Sequence, residues 1–224
     1  MMEKDNLSGP LPPGFQACRQ LLLASAESMD SHRGRWQLFE RQGGAMRPVG
    51  ESAPCVFGKK GLAYAPGHAG EEAAGRTKKE GDMRTPMGVF WLGTAFGRAG
   101  SFPPESKMPF LELHAGLMAV DDPSSAYYNR IVDTGLLMDE KDWKSAERMD
   151  RRDGLYDLGA VIHYNTVNPQ PGWGSCIFLH IWRDEDHGTE GCVACSREDM
   201  SELMKRLNPE WNPAIWIRSE KAGR

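Results

Sequence analysis

The sequence predicts a mainly β fold of short strands joined by turns, with only a few helices. Three observations predict it. Glycine and proline are both abundant, 25 and 15 among 224 residues, and turns use them for positive φ and for a pre-set φ. Ten short runs carry strand-forming residues, and most are bounded by Gly, Pro, Asn or Asp. Only two segments show helical spacing.

In chain order the strand-like runs are Gln20–Ala24, Arg35–Arg41, Pro54–Gly58, Gly61–Tyr64, Gly88–Leu92, Phe110–Leu113, Arg130–Asp133, Ala160–Tyr164, Ser175–Trp182 and Ala214–Arg218. Cys55-Val56-Phe57 and Leu62-Ala63-Tyr64 flank Gly58-Lys59-Lys60-Gly61 and read as a hairpin. The first helix is expected over about Glu140–Met149, a surface element with pairs such as Glu140 and Lys144 at i,i+4 and Trp143 as its apolar anchor. The second follows Ser196, an N-cap with an acid three residues on at Asp199, and continues through Met200, Leu203, Met204 and Leu207 until Asn208-Pro209 ends it.

A chain of 224 residues and 24.9 kDa suits one domain or at most two small ones, and can bury a core without staples. Residues 1–15, with Gly9-Pro10 and Pro12-Pro13-Gly14, read as a loosely ordered N-terminal segment, and residues 16–224 as a single domain. A net charge of −4 argues against nucleic acid as a partner. With 40% hydrophobic and 26% charged residues, intrinsic disorder is disfavoured. The most apolar run, Leu21–Ala26, is far too short for an integral membrane span and lacks the flanks of a signal peptide. Five cysteines leave at least one thiol unpaired within the chain.

The chemistry concentrates between residues 175 and 196. In the run Ser175–Trp182, Cys176, Phe178, His180 and Trp182 alternate with Ile177, Leu179 and Ile181, so both faces are apolar and the strand is expected inside a sheet, with His180 partly buried. A polar, glycine-containing loop then leads to Cys192. A thiol acts as a nucleophile when a histidine takes its proton, and its pKa falls near an imidazolium or a helix start such as Ser196. Gly191 permits close backbone approach, and N–H groups around Cys192 and Val193 suit an oxyanion hole. Cys192-Val193-Ala194-Cys195 is also a C-x-x-C, which leaves a redox pair or a zinc half-site with His180 and His187 as alternatives. Cys18, Cys55 and Cys176 read as core.

The string His180 … Thr189-Glu190-Gly191-Cys192-Val193 resembles the signature of the YkuD-type (ErfK/YbiS) L,D-transpeptidase catalytic domain. Three further pieces resemble that family in the same order: Lys79–Phe90, which contains Gly81-Asp82 and Thr85-Pro86, then Val161–Asn165, then Gly174–His180. The resemblance spans roughly residues 16–218 and implies a mainly β sandwich or partly closed barrel of mixed sheets with a few peripheral helices. It implies Cys192 as the acyl-accepting nucleophile, His180 as the base and backbone around Gly191 and Cys192 as the oxyanion site. Thr189, Val193, His163, Tyr164, Gly81 and Asp82 become candidate substrate-binding positions. The implied partner is a peptidoglycan stem peptide, the implied place the cell envelope, and no metal or organic cofactor is required. L,D-carboxypeptidase activity on the same Cys–His pair, or a non-catalytic wall-binding module, are the alternative outcomes. Two positions depart from the family pattern: Glu190 stands where many members have His, and Ala194 where many have Arg.

Overall fold

Alternation along the strands sorts their side chains between the two sides of one closed wall. The computed structural model describes Leu7 and residues 11–67, 76–138 and 140–220. The wall is built from β1 (Gln20–Ala26), β2 (Arg33–Gln42), β3 (Ala45–Val56), β5 (Thr85–Gly97), β10 (Leu158–Ile162), β11 (Phe178–Ile181), β12 (Val193–Cys195) and β13 (Ala214–Ser219). Its order is β5-β10-β11-β12-β3-β2-β1-β13, and β13 pairs with β5 to close the ring. The β1–β13 and β11–β12 pairs are parallel and the others antiparallel. The chain is therefore mainly β, with mixed pairing as expected, and the barrel is fully closed, which leaves these eight strands without open edges.

Inside lie Leu22, Leu38, Ile162, Leu179, Ile181, Val193 and Ile215. Helix α1 (Arg197–Arg206) packs on β10 and β11 and adds Met200, Leu203 and Met204 to the same core. Burying each such side chain is worth about 1.5–3 kcal/mol. The helix begins where the sequence places it, because the Ser196 hydroxyl accepts the Asp199 N–H at 3.0 Å and satisfies an otherwise unpaired first-turn donor. Ser196→Ala is expected to cost about 1 kcal/mol, read as a lower urea midpoint at unchanged slope.

Against the outer face of β10 and β11 lies a second sheet, β8-β7-β9, made of β7 (Leu117–Val120), β8 (Arg130–Asp133) and β9 (Glu147–Arg148). Leu117, Ala119, Met149 and Tyr156 from this layer meet Phe96, Phe178 and Cys192 of the barrel wall in one apolar cluster. The site therefore sits at the seam between the two layers.

Two expectations on local structure are overturned. No helix forms over Glu140–Met149 among the described residues, which exclude Asp139; a short strand lies at β9 instead. Asp142 accepts the Ser125 hydroxyl and the Ala126 N–H, and the Lys144 N–H goes to Asp122, so cross-connections replace i,i+4 bonds. Trp143 is buried, as an anchor should be, packed edge-on against Tyr127. The hairpin around Gly58–Gly61 is also absent. The turn itself closes, with the Gly61 N–H on the Gly58 carbonyl at 2.7 Å, but strand β4 (Leu62–Tyr64) pairs in parallel with Thr85–Met87 of β5 and the Gly58 N–H is taken by the Thr85 hydroxyl at 2.7 Å, so the flanking strands take partners distant in sequence. At the N-terminus Leu7, Leu11 and Phe15 pack on the outside of the barrel, with Phe15 4.5 Å from Trp91; the rest of 1–10 lies outside the described residues.

Candidate active site

His180 and Cys192 reach one cleft because β11 and β12 run parallel, with Leu179 opposite Val193 and His180 opposite Ala194. One residue before β12, that register carries Cys192 beside Phe178, so Cys192 and His180 stand diagonally on neighbouring chains. Leu179 and Val193 point into the barrel; Phe178 and Cys192 point into the seam. The cleft has a volume of about 620 Å³ and is lined by His180, Gly191, Cys192 and Thr189 from the barrel, Glu147, Arg151 and Tyr156 from the second layer, and Lys78, Glu80 and Gly81 at one side.

The chain around Cys192 is locked from two directions. Its carbonyl accepts the Thr85 hydroxyl at 3.1 Å and the Thr189 hydroxyl at 2.7 Å. Thr189 in turn accepts the Gly191 N–H at 3.1 Å. Gly191 has φ +148°, and a Cβ there would stand 3.2 Å from the Arg84 carbonyl and 3.4 Å from Ile177 Cδ1. Gly191→Ala is therefore expected to destabilise by roughly 1–3 kcal/mol through backbone strain, visible in urea unfolding, and to displace Cys192.

At rest the Cys192 thiol donates to the Cys176 carbonyl at 3.6 Å and accepts the Phe178 N–H at 3.3 Å. Burial, with the Glu147 carboxylate adding to it, pushes the thiol up to about 12. His180 is 6% exposed, and burial brings its imidazole down to about 4. The pair is thus neutral at pH 7, a correction to the expectation of a lowered thiol, and the reason is desolvation: neither the imidazolium nor the start of α1 supplies compensating charge. His180 Nδ1 donates to the Ile181 carbonyl at 2.7 Å, which leaves the Nε2 lone pair as the basic position.

The other expected site residues divide. Thr189 and Gly81 line the cleft. Asp82 does not line it; it pairs with Lys78, which does, and accepts the Lys79 and Arg84 N–H groups, so it shapes the turn that carries Gly81. Val193 is fully buried in the barrel core, and any contribution to the cleft comes from its backbone. Tyr164 is buried, edge-on to Phe90, with its hydroxyl donating to the Trp173 carbonyl. His163, just past the end of β10, falls in a different groove with Trp91, Gly93 and Met108.

Sequence reasoning missed Thr85, Glu147, Arg151 and Tyr156. Thr85 was within reach, since it lies in the Gly81–Pro86 motif. The other three gave no local signal, because the cleft is assembled from two layers. Cys176, expected as core, instead lines the cleft, at φ +52° with its N–H held by Asn129 Oδ1 at 2.8 Å. Cys195 lies inside the barrel near Cys55, in a different cluster from Cys192, so the C-x-x-C does not present two thiols to one site. His187 pairs with Asp184 on the exposed loop.

The closed mixed barrel thus brings His180 of β11 and Cys192, just ahead of the parallel strand β12, to one cleft. The chain matches the L,D-transpeptidase catalytic domain family (YkuD) over residues 35–215 and belongs to it. No curated protein matches it by sequence at a significant level. Among solved structures it is similar to the helical cell shape determining protein Pgp2 from Campylobacter jejuni, with a TM-score of 0.42 and 15% identity over 90% of this chain. The chain spans about half, 48%, of that protein's length.

Proposed function

We propose that this protein performs cysteine-dependent acyl transfer on peptidoglycan stem peptides. The observation that carries the reading is the placement of Cys192 and His180 on one cleft wall, with His180 Nδ1 committed to the Ile181 carbonyl. Substrate entry displaces water from a neutral pair. His180 Nε2 takes the Cys192 proton as the sulfur attacks a peptide carbonyl next to a D-residue. The tetrahedral oxyanion is held by backbone N–H groups, with that of Cys192 the best candidate because the Gly191 N–H is already given to Thr189. The imidazolium then returns its proton to the leaving amine of D-Ala, leaving a thioester on Cys192. An amine from a second stem resolves it to a 3-3 cross-link, and water resolves it to a shortened stem.

The cleft lining carries both signs of charge, Lys59, Lys78, Arg151 and Arg183 against Glu80, Asp121, Glu147 and Glu190. That suits a peptide bearing both carboxylates and amines. With such a substrate the place of action is the cell envelope; no helix among the described residues is long and apolar enough to cross a membrane. Incubation with purified disaccharide tetrapeptides, followed by mass analysis, tests the reaction. Loss of D-Ala with dimers identifies transpeptidation, loss without dimers identifies carboxypeptidation, and intact tetrapeptide contradicts both.

A further inference from the structure

His180 acts as a base only if its ring presents Nε2 to the Cys192 sulfur. The bond from Nδ1 to the Ile181 carbonyl fixes one edge of the imidazole. The Leu155 carbonyl gives the ring a second backbone contact, and the restraint on the ring's faces comes from packing. That packing comes from outside the barrel. Tyr156, 4% exposed, stands edge-on to the imidazole, with ring centroids 5.1 Å apart and planes at 73°. The same tyrosine meets Phe96 and Phe178 edge-on at 5.6 Å and 5.8 Å, so it sits in an aromatic cluster of defined geometry.

The hydroxyl end is held as firmly as the ring. It donates to Glu147 Oε2 at 2.8 Å. Glu147 is ion-paired with Arg151, and the Arg151 guanidinium lies 5.1 Å from the centroid of the Tyr156 ring. The three side chains thus close on one another. The Ile181 N–H donates to the Leu155 carbonyl at 3.2 Å, stitching the residue before Tyr156 to the strand that carries His180.

The geometry points to Tyr156 as the positioning residue for His180, clamped by Glu147 and Arg151. This rests on the reading of Cys192 and His180 as nucleophile and base, and it makes the second layer part of the catalytic apparatus. Removing the ring opens space beside the imidazole, frees its rotation and admits water. The charged and titratable groups around His180 are Cys192 ahead of β12, Glu147 on β9, Arg151, Asp153 and Tyr156 after it, and Arg183 and His187 from the loop after β11.

The test is the pH dependence of Cys192 alkylation by iodoacetamide, read on the Cys192 peptide by mass spectrometry, with thermal melts to verify folding. The position of the acid limb is the readout, since Glu147 also acts on the thiol. Tyr156→Phe keeps the ring but gives up the bond to Glu147, and should raise the limb only slightly. Tyr156→Leu should raise it, because a hydrated imidazole returns from about 4 toward 6.5, a roughly 30-fold slower alkylation at about pH 5. Glu147→Ala, which removes the acceptor of the Tyr156 hydroxyl, should shift the limb in the same direction by less. A folded Tyr156→Leu with the wild-type limb overturns the assignment; should that variant not fold, an unmoved limb in Glu147→Ala does so. No peptidoglycan is involved, so the two readings fail separately. If His180→Ala leaves the alkylation profile unchanged, the Cys–His reading falls and the positioning role with it. If His180→Ala alters the profile and Tyr156→Leu does not, only the positioning role falls.

Discussion

Cys192→Ala is expected to reduce turnover of stem peptides by roughly 10³-fold or more, because it removes the covalent route and leaves only binding and oxyanion contacts. The fold should survive. The side chain's recorded polar contacts are one N–H from Phe178 and one carbonyl at Cys176, and the Cys192 carbonyl that Thr85 and Thr189 hold is backbone and remains. Turnover of purified stem peptides, measured together with thermal melting, checks both halves. Full activity in a folded Cys192→Ala protein would remove the proposed mechanism.

Stability should be greatest between about pH 6.5 and pH 9 and fall on both sides. On the acid side the group is His180, whose folded value near 4 lies below the ordinary 6.5. The unfolded chain then binds a proton that the folded one refuses. The stability is complete above about 6.5 and is lost as pH falls toward 4, by about 3 kcal/mol at 1.36 kcal/mol per unit. On the alkaline side the groups are the buried thiols. Burial raises Cys192 to about 12 and Cys18 to about 11, and pushes Cys55 and Cys195 up as well. Here the unfolded chain ionises first, so stability is complete below about 9 and is lost as pH rises, by about 4 kcal/mol from Cys192 and about 3 from Cys18. Urea unfolding across this range measures the curve. Cys192→Ala should flatten part of the alkaline limb, and a flat wild-type curve would contradict the burial of these groups.

The parts of the molecule legible in the sequence are those whose signals are local. Helix α1 announces itself through Ser196, Asp199 and the spacing of Met200, Leu203 and Met204, and the same residues form its cap and buried face. The alternation through Phe178, Leu179, His180 and Ile181 places β11 inside a sheet, where the structure has it. The strand ends, the closure of the barrel and the short strand β12 depend on pairing across the chain and leave no comparable trace. Mixed charge over 140–149 reads as a helix, yet Asp122 and Asp142 draw that segment into extended structure. Glu147, Arg151 and Tyr156 were invisible for the same reason: their meaning arises only when the second layer closes over β11. His163 illustrates the converse, a residue inside a recognisable motif that the end of β10 carries into another groove.

The odd cysteine count also resolves through geometry. All five thiols are free. Cys18, Cys55 and Cys195 are interior, Cys176 and Cys192 line the cleft, and only Cys192 combines the flanking glycine with the register that faces His180.

The most direct measurement is the intact mass of the protein after incubation with a carbapenem, whose strained acyl group forms a stable thioester with a competent cysteine. A single adduct on Cys192, absent from Cys192→Ala and strongly slowed in His180→Ala, is the predicted result. An unmodified wild-type protein, or an adduct that persists in Cys192→Ala, would contradict the assignment of Cys192 as the nucleophile.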